Sequence, residues 1–202
     1  LYINPGTGIK HHIKNFKELK KAGRNILLIN GHGHAYSTAQ HAVAMLLALM
    51  NRIIPHHNWM QNGIWRTSDN KDIFSSSVQL RNRKIGLLGY GAINKYVHSF
   101  LSGFENEFFV MKRDWKEQKE IYPTEITKYK ETELHKFLKA IDILIIAVPH
   151  TSKTEGLIGA KELKLLGKNS LIVNIARGTI VNEKDLYDAL KNKEISGAAL
   201  DV

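Results

Sequence analysis

The residues best suited to chemistry form a glycine-rich turn, Gly89-Tyr90-Gly91-Ala92-Ile93-Asn94, directly after the apolar residues 85–88. Glycine adopts backbone dihedrals that are costly for other residues, and it lets an anion approach the peptide N–H groups. Residues 95–101 carry apolar side chains at helical spacing, and a helix start adds about half a positive charge. The pattern predicts a phosphate site built from backbone N–H groups.

A dinucleotide-binding turn has a third glycine where this chain has Asn94. That glycine lets the following helix pack closely on the strand. We expect Asn94 either to push the helix and strand slightly apart or to aim its amide at a diphosphate.

Charged residues at the end of the next apolar run bear on which dinucleotide would bind. An acid about twenty residues past the glycines bonds the adenosine ribose, whereas a base there accommodates a 2′-phosphate. Lys112 and Arg113 stand at that place, so the sequence favours NADP. Asp114 follows at once and could reach a ribose, which leaves NAD open.

These residues need a scaffold of alternating strands and helices. Short apolar runs alternate with amphipathic segments, which predicts a doubly wound parallel sheet of the Rossmann type in an α/β fold. Residues 115–130 are charged, and we expect them to be irregular. Besides the strand and helix that flank the glycine turn, the predicted strands are 107–113, 141–148, 171–175 and 198–202. The other predicted helices are 39–54, 133–140, 155–167 and 183–191.

Composition limits the classes of function. The 202 residues include no cysteine, which excludes disulfides and thiolate chemistry and favours the cytoplasm. The apolar run 42–50 is too short to span a bilayer, so we expect no membrane partner. The net charge of +10 is spread over lysines interleaved with acids, which favours an anionic small molecule over nucleic acid. The four histidines near the amino end, His11, His12, His32 and His34, lack the i, i+4 spacing of a metal-binding pair on a helix, so we expect no metal site.

Four further motifs run in order with the glycine turn. Together they resemble the nucleotide-binding domain of the D-isomer-specific 2-hydroxyacid dehydrogenases, which include phosphoglycerate, D-lactate, glyoxylate/hydroxypyruvate and formate dehydrogenases. The motifs are Ser37-Thr38-Ala39-Gln40-His41-Ala42, Val148-Pro149-His150-Thr151 with Thr154, Val173-Asn174-Ile175-Ala176-Arg177-Gly178, and Gly197-Ala198-Ala199-Leu200-Asp201-Val202.

The resemblance implies hydride transfer between a nicotinamide and C2 of a 2-hydroxy or 2-oxo acid. It gives Arg177 the role of the catalytic arginine that binds substrate, with backbone N–H groups near Thr7 and Gly8 on the substrate carboxylate. It also implies that the nicotinamide lies against Ile175, Ala176 and Asp201, and the adenosine and phosphates against Val148, Pro149 and Thr154.

The resemblance further implies a domain division and an assembly. Residues 1–35 would be a remnant of a second, flavodoxin-like substrate domain, and residues 36–202 a dinucleotide-binding domain that is incomplete at its carboxyl end. The family's catalytic histidine and its partner glutamate follow the segment that resembles residues 200–202, and this chain has neither. The helix 39–54 would form a homodimer. An alternative is a nicotinamide-sensing regulatory protein, because co-repressors resemble the same family.

Overall fold

The computed structural model describes residues 1–4, 10–31, 33–65, 77–115 and 120–202, so Thr7 and Gly8 lie outside the described residues. The strands are β1 (Tyr2–Asn4), β2 (Leu28–Asn30), β3 (Lys84–Leu88), β4 (Glu107–Lys112), β5 (Ile126–Lys130), β6 (Ile143–Ile146), β7 (Leu171–Asn174) and β8 (Gly197–Leu200). The α-helices are α1 (Lys10–Lys21), α2 (Ala35–Met50), α3 (Ile53–Gln61), α4 (Ala92–Leu101), α5 (Leu134–Lys139), α6 (Ala160–Leu166) and α7 (Glu183–Lys191).

The main sheet has six parallel strands in the order β5-β4-β3-β6-β7-β8. The chain starts this sheet at β3, moves outward to β5, and then crosses back to β6 on the other side of β3. This is the strand order of the doubly wound dinucleotide fold, and it confirms the predicted fold class. The strand order reverses between β3 and β6, where such folds bind their ligands.

Two apolar cores cover the two faces of this sheet. Side chains of α2 and α4 pack with Ile85 and Leu87 of β3 on one face. Side chains of α5, α6 and α7 pack with Leu88 on the other face. Four-residue strands such as β6 and β7 are buried along their whole length, which explains why they read as continuous apolar runs.

The close contact between β3 and α5 depends on a glycine. A Cβ atom on Gly86 would overlap Ile141 Cδ1 and lie 2.9 Å from Phe137 Cζ. A side chain here would therefore require Ile141 and Phe137 to shift within the packed core.

The structure corrects two expectations from the sequence. Residues 115–130 are not irregular throughout, because β5 pairs with β4 at the edge of the sheet. The helix predicted over 39–54 is two helices, since α2 ends at Met50 and Arg52 takes a left-handed conformation with φ of 53°. Pro55 lies in the first turn of α3, where a missing N–H costs nothing.

The amino-terminal elements form a second, smaller sheet. Here β1 pairs in parallel with β2, and Leu1, Ile3 and Leu27 are exposed. The division at residue 35 stays a prediction, although α2 begins there. Among the described residues, no helix is both long and apolar enough to cross a membrane.

Candidate dinucleotide site

The glycine turn joins β3 to α4 at the centre of the sheet. Gly89 has φ of 84°, and a Cβ atom on it would lie 2.8 Å from both the Ala147 carbonyl oxygen and Val148 Cγ1. Its N–H donates to the Met111 carbonyl at 2.8 Å, which ties the turn to the end of β4. Only glycine satisfies both the left-handed backbone and the close approach to β6.

Gly91 and Ala92 are exposed at the start of α4. Gly91 precedes the first helical residue, and no heavy atom lies within 4 Å of its Cβ position. The backbone is therefore open to an approaching ligand at a helix amino terminus. A phosphate fits this position.

Asn94 supports the turn from beneath. Its side chain is fully buried, and Nδ2 donates to the Gly89 carbonyl at 2.7 Å and to the Leu88 carbonyl at 3.4 Å. Its Oδ1 has no hydrogen-bond partner within the described ranges. The expectation that the Asn94 amide points at a diphosphate is wrong, because its N–H groups bond the turn itself.

A buried hydrogen-bond chain holds Tyr90 in the turn. The Tyr90 hydroxyl lies 2.8 Å from His98 Nδ1, and His98 Nε2 lies 2.8 Å from Thr124 Oγ1. Burial lowers the pKa of His98 to about 4 and raises the pKa of Tyr90, so both are neutral at neutral pH. Sequence reasoning missed His98, whose only signal is its place between the buried Val97 and Leu101.

Lys112 is paired within the chain. Its Nζ lies 2.7 Å from Glu120 Oε2, and Lys95 Nζ lies 2.6 Å from Glu120 Oε1. Burial raises the pKa of Glu120, but hydrogen bonds from Lys112, Lys95 and Tyr122 outweigh it and lower the pKa to about 2. Sequence reasoning missed Glu120. Arg113, predicted to contact a 2′-phosphate, and Asp114, predicted as the alternative partner of a ribose, are both exposed.

Arg177 lies in the loop that follows β7. The buried Asn174 shapes this loop, since its Nδ2 donates to the Arg177 carbonyl at 2.9 Å and its Oδ1 accepts from the Ala176 N–H at 3.0 Å. Ile175 and Ala176 are buried, whereas Arg177 is exposed. The Arg177 guanidinium donates to the Ala176 carbonyl.

Asp201 lies beside the Arg177 loop. Its N–H donates to the Asn174 carbonyl at 3.0 Å, and its Oδ1 lies 3.3 Å from His41 Nε2 of α2. Both side chains of this pair are about half exposed. Asp201 is therefore held between the loop after β7 and helix α2.

The segment after β6 forms the wall opposite the turn. Val148 lies against Gly89, and Pro149 is exposed. The Thr154 hydroxyl donates to the Pro149 carbonyl at 2.7 Å and accepts from the Thr151 N–H at 2.8 Å. In this structure the Thr154 hydroxyl is used to shape the loop.

Apart from Thr7 and Gly8, the predicted site residues follow the carboxyl ends of β3, β4, β6, β7 and β8 or begin α4. The glycine turn and Val148 meet at the point where the strand order reverses. Lys112 and Arg113 lie on one side of that point and Arg177 and Asp201 on the other. Among the described residues, no group of three or more histidine, aspartate or glutamate side chains is placed to hold a metal ion.

The chain is similar in sequence to characterised enzymes. It is 34% identical over 172 residues to glyoxylate reductase of Pyrococcus furiosus, and the match covers 82% of this chain and 49% of that protein. It spans about half the length of such relatives, since the match to glycerate dehydrogenase of Methylorubrum extorquens covers 54% of that protein.

Solved structures share the fold. The NADPH-dependent glyoxylate/hydroxypyruvate reductase of Sinorhizobium meliloti matches with a TM-score of 0.82 and 28% identity, over 100% of this chain and 60% of that one. The family described as D-isomer specific 2-hydroxyacid dehydrogenase, NAD binding domain, matches residues 43–202. On the fold, the site and this match together, the chain belongs to the D-isomer specific 2-hydroxyacid dehydrogenase family.

Proposed function

We propose that the protein is an oxidoreductase that transfers a hydride between a nicotinamide and C2 of a 2-hydroxy or 2-oxo acid. One observation carries the proposal. The glycine turn lies where the strand order reverses, and Arg177 and Asp201 follow the ends of neighbouring strands of the same sheet. The similar glyoxylate reductases support this reaction class, and nothing in the comparisons favours the regulatory alternative.

The residues divide between the two ends of the cofactor. The backbone of Gly89, Gly91 and Ala92 would hold the diphosphate, aided by the start of α4. Val148, Pro149 and Thr154 would flank the adenosine half, and Ile175, Ala176 and Asp201 would orient the nicotinamide. When bound, a nicotinamide cofactor supplies or accepts the hydride.

Arg177 would bind the substrate. Its planar guanidinium matches a carboxylate with two parallel hydrogen bonds, and its charge stabilises the negative oxygen that develops at C2. To do so it must leave the Ala176 carbonyl that it contacts here. The resemblance assigns proton transfer to a histidine and glutamate beyond the residues of this chain.

The finer features are also proposals. We favour NADP as cofactor, a small 2-oxo acid as substrate, a cytoplasmic location and a homodimer. The apolar face of α2, which includes Ala39 and Ala42, is buried against α4 and the sheet, so a dimer through helix 39–54 must use other parts of this region. Exposed apolar residues there are Tyr36, Ile53, Ile54 and Met60.

The cofactor proposal is tested by replacing both Lys112 and Arg113 with alanine. A 2′-phosphate would lose charge-assisted hydrogen bonds, so we expect NADPH to bind roughly tenfold or more weakly while the affinity for NADH stays within about twofold. Nicotinamide fluorescence titrations at one low salt concentration measure both.

A variant with Lys136→Ala and Lys139→Ala is the matched control, because it removes two positive charges from α5, before β6, at the other end of the sheet. Equal losses for NADPH and NADH in the first variant would contradict the preference for NADP. In the full-length protein, failure to reduce any 2-oxo acid with either cofactor would contradict the proposed reaction.

A further inference from the structure

The end of β4 carries a cluster that we call the lysine clamp, made of Lys95, Lys112 and Glu120. Each Glu120 oxygen accepts from one ammonium group, at 2.6 Å from Lys95 and 2.7 Å from Lys112. The Tyr122 hydroxyl donates to Oε2 at 3.1 Å. The carboxylate is thus held by three donors, and its side chain is 20% exposed.

The clamp lies beside the glycine turn. Lys95 directly follows Asn94 in the first turn of α4, and Lys112 is the last residue of β4. The preceding residue, Met111, accepts the Gly89 N–H. In a dinucleotide fold this strand end faces the adenosine ribose.

The clamp has the composition of an oxyanion site. Two ammonium groups bracket one carboxylate, and a third cation, Lys128, lies 5.4 Å from the ring of Tyr122. Lys112 also lies 4.5 Å from the Trp115 ring, which fixes its direction. Carboxylate and phosphate oxygens accept the same hydrogen bonds from ammonium groups, so both suit this position.

We propose that Glu120 is an internal competitor for the 2′-phosphate of NADP, and so is a specificity-determining residue of the cofactor site. The inference rests on the proposed function and refines it. Lys112 is not a free cation waiting for phosphate, because the chain's own carboxylate holds it. NADP must displace Glu120, whereas NAD, with no 2′-phosphate, leaves the lysine clamp closed.

The competition predicts in which direction ligand affinity changes when the charge of Glu120 is removed. Glu120 is tethered to the site, so its local concentration exceeds that of any free ligand. A 2′-phosphate carries more charge than a carboxylate and can replace it, but the displaced carboxylate loses three donors. Removing the negative charge of Glu120 while keeping its size should therefore tighten the binding of 2′-phosphorylated ligands alone.

The test is Glu120→Gln in this chain, with adenosine 2′,5′-bisphosphate and adenosine 5′-monophosphate as probes beside NADPH and NADH. We expect the variant to bind the bisphosphate and NADPH roughly tenfold or more tightly, with the monophosphate and NADH within about twofold. Calorimetry measures the adenosine probes, so the result does not depend on turnover.

Glu105→Gln is the matched control, since Glu105 pairs with Arg81 at the other end of the sheet, before β4. It should change none of the four affinities. A second variant, Glu120→Ala, keeps the test valid if Glu120→Gln folds poorly. It should also tighten the binding of the bisphosphate and leave that of the monophosphate within about twofold.

Each contrary result overturns the inference in its own way. Unchanged or weaker NADPH binding in Glu120→Gln would mean that Glu120 only orients the lysines, and weaker NADH binding would mean that it bonds the ribose. If the bisphosphate binds neither the parent chain nor Glu120→Gln while NADH still binds both, then Glu120 does not compete for a 2′-phosphate. The proposed dinucleotide site would stand in that case. Tighter bisphosphate binding without 2-oxo acid turnover by the full-length protein would defeat the proposed function alone.

Discussion

At the scale of single residues, Asn174 shapes the loop that follows β7 and carries Arg177. Both polar atoms of its buried amide are used, one on the Arg177 carbonyl and one on the Ala176 N–H. Asn174 therefore holds the backbone of Arg177 through contacts that do not involve the guanidinium, which makes its own contact with the Ala176 carbonyl. The Asn174 contacts would remain if the guanidinium were removed.

We expect Arg177→Ala in the full-length protein to lower kcat/KM for a 2-oxo acid by roughly a hundredfold or more, because a charge that stabilises the developing oxyanion is lost. Cofactor affinity should stay within about twofold, since Asn174 still holds the loop. Steady-state kinetics and a fluorescence titration give the two values. Arg177→Lys should recover part of the rate, and a collapse of cofactor affinity in Arg177→Ala would make the arginine structural.

The sequence could predict residues whose chemistry is local. The glycine turn is recognised by its own spacing, and Arg177 by the motif around it. Sequence reasoning misses Glu120 as a partner of Lys112, because the two residues are eight positions apart in a charged stretch and no local pattern links them. The sequence therefore predicts the glycine turn of the site, but it does not predict which charged side chains pair there.

At the scale of elements, α4 carries two polar residues on the face that it turns to the sheet. Asn94 and His98 are both fully buried there, among Val97 and Leu101. The His98 ring packs against Phe108 of β4 at a tilt of 37°, with ring centroids 4.0 Å apart. Through Tyr90 and Thr124 it links the glycine turn to the segment that precedes β5.

The buried His98 predicts acid sensitivity. Its pKa falls from 6.5 to about 4 in the folded chain, so between these values the unfolded chain binds a proton that the folded one does not. Stability from this site is full above pH 6.5 and is lost as the pH falls toward 4, by at most about 1.4 kcal/mol per pH unit. Urea unfolding at a series of pH values measures the slope.

His98→Gln should be less stable at pH 7 but should lose less stability between pH 6.5 and 4.5 than the parent chain. His57→Gln, at an exposed position on α3, is the control and should keep the parent slope. Identical slopes for His98→Gln and the parent would show that His98 does not govern this pH dependence.

Strand β5 shows why one element escaped prediction. The central strands are apolar because both of their faces are covered, but β5 lies at the edge, and Thr127, Lys128 and Lys130 are exposed. Its backbone pairs with the edge of β4, and only Ile126 and Tyr129 pack partly against the cores. Local composition reads such a segment as irregular.

At the scale of the whole molecule, the two sheets differ in what supports them. The main sheet has a core on each face, whereas β1 and β2 form a two-stranded sheet with exposed apolar side chains. Tyr2 packs against His12 and Phe16 of α1, but a sheet of only two strands is marginal in water. The described parts of residues 1–31 therefore depend on further contacts more than the main sheet does.

Hydrogen exchange followed by mass spectrometry should resolve this difference. We expect the amides of β1 and β2 to exchange much faster than those of β3, β4, β6 and β7, which can open only by sub-global unfolding. Added NADPH should slow exchange in residues 84–101 and leave residues 1–30 unchanged. Equal protection of both sheets would mean that the amino-terminal segment is part of the same cooperative unit.

The three glycines within residues 86–91 differ in the structural reason for which a side chain is absent. At Gly89 a side chain would meet the Ala147 carbonyl oxygen in a left-handed backbone, and at Gly86 it would require Ile141 and Phe137 to shift, so packing accounts for both glycines. Gly91 has open space at its Cβ position and an extended φ of −88° that any residue can adopt. The described neighbours therefore leave Gly91 without a folding constraint, and its physical use is the close approach of a ligand to the backbone at the start of α4.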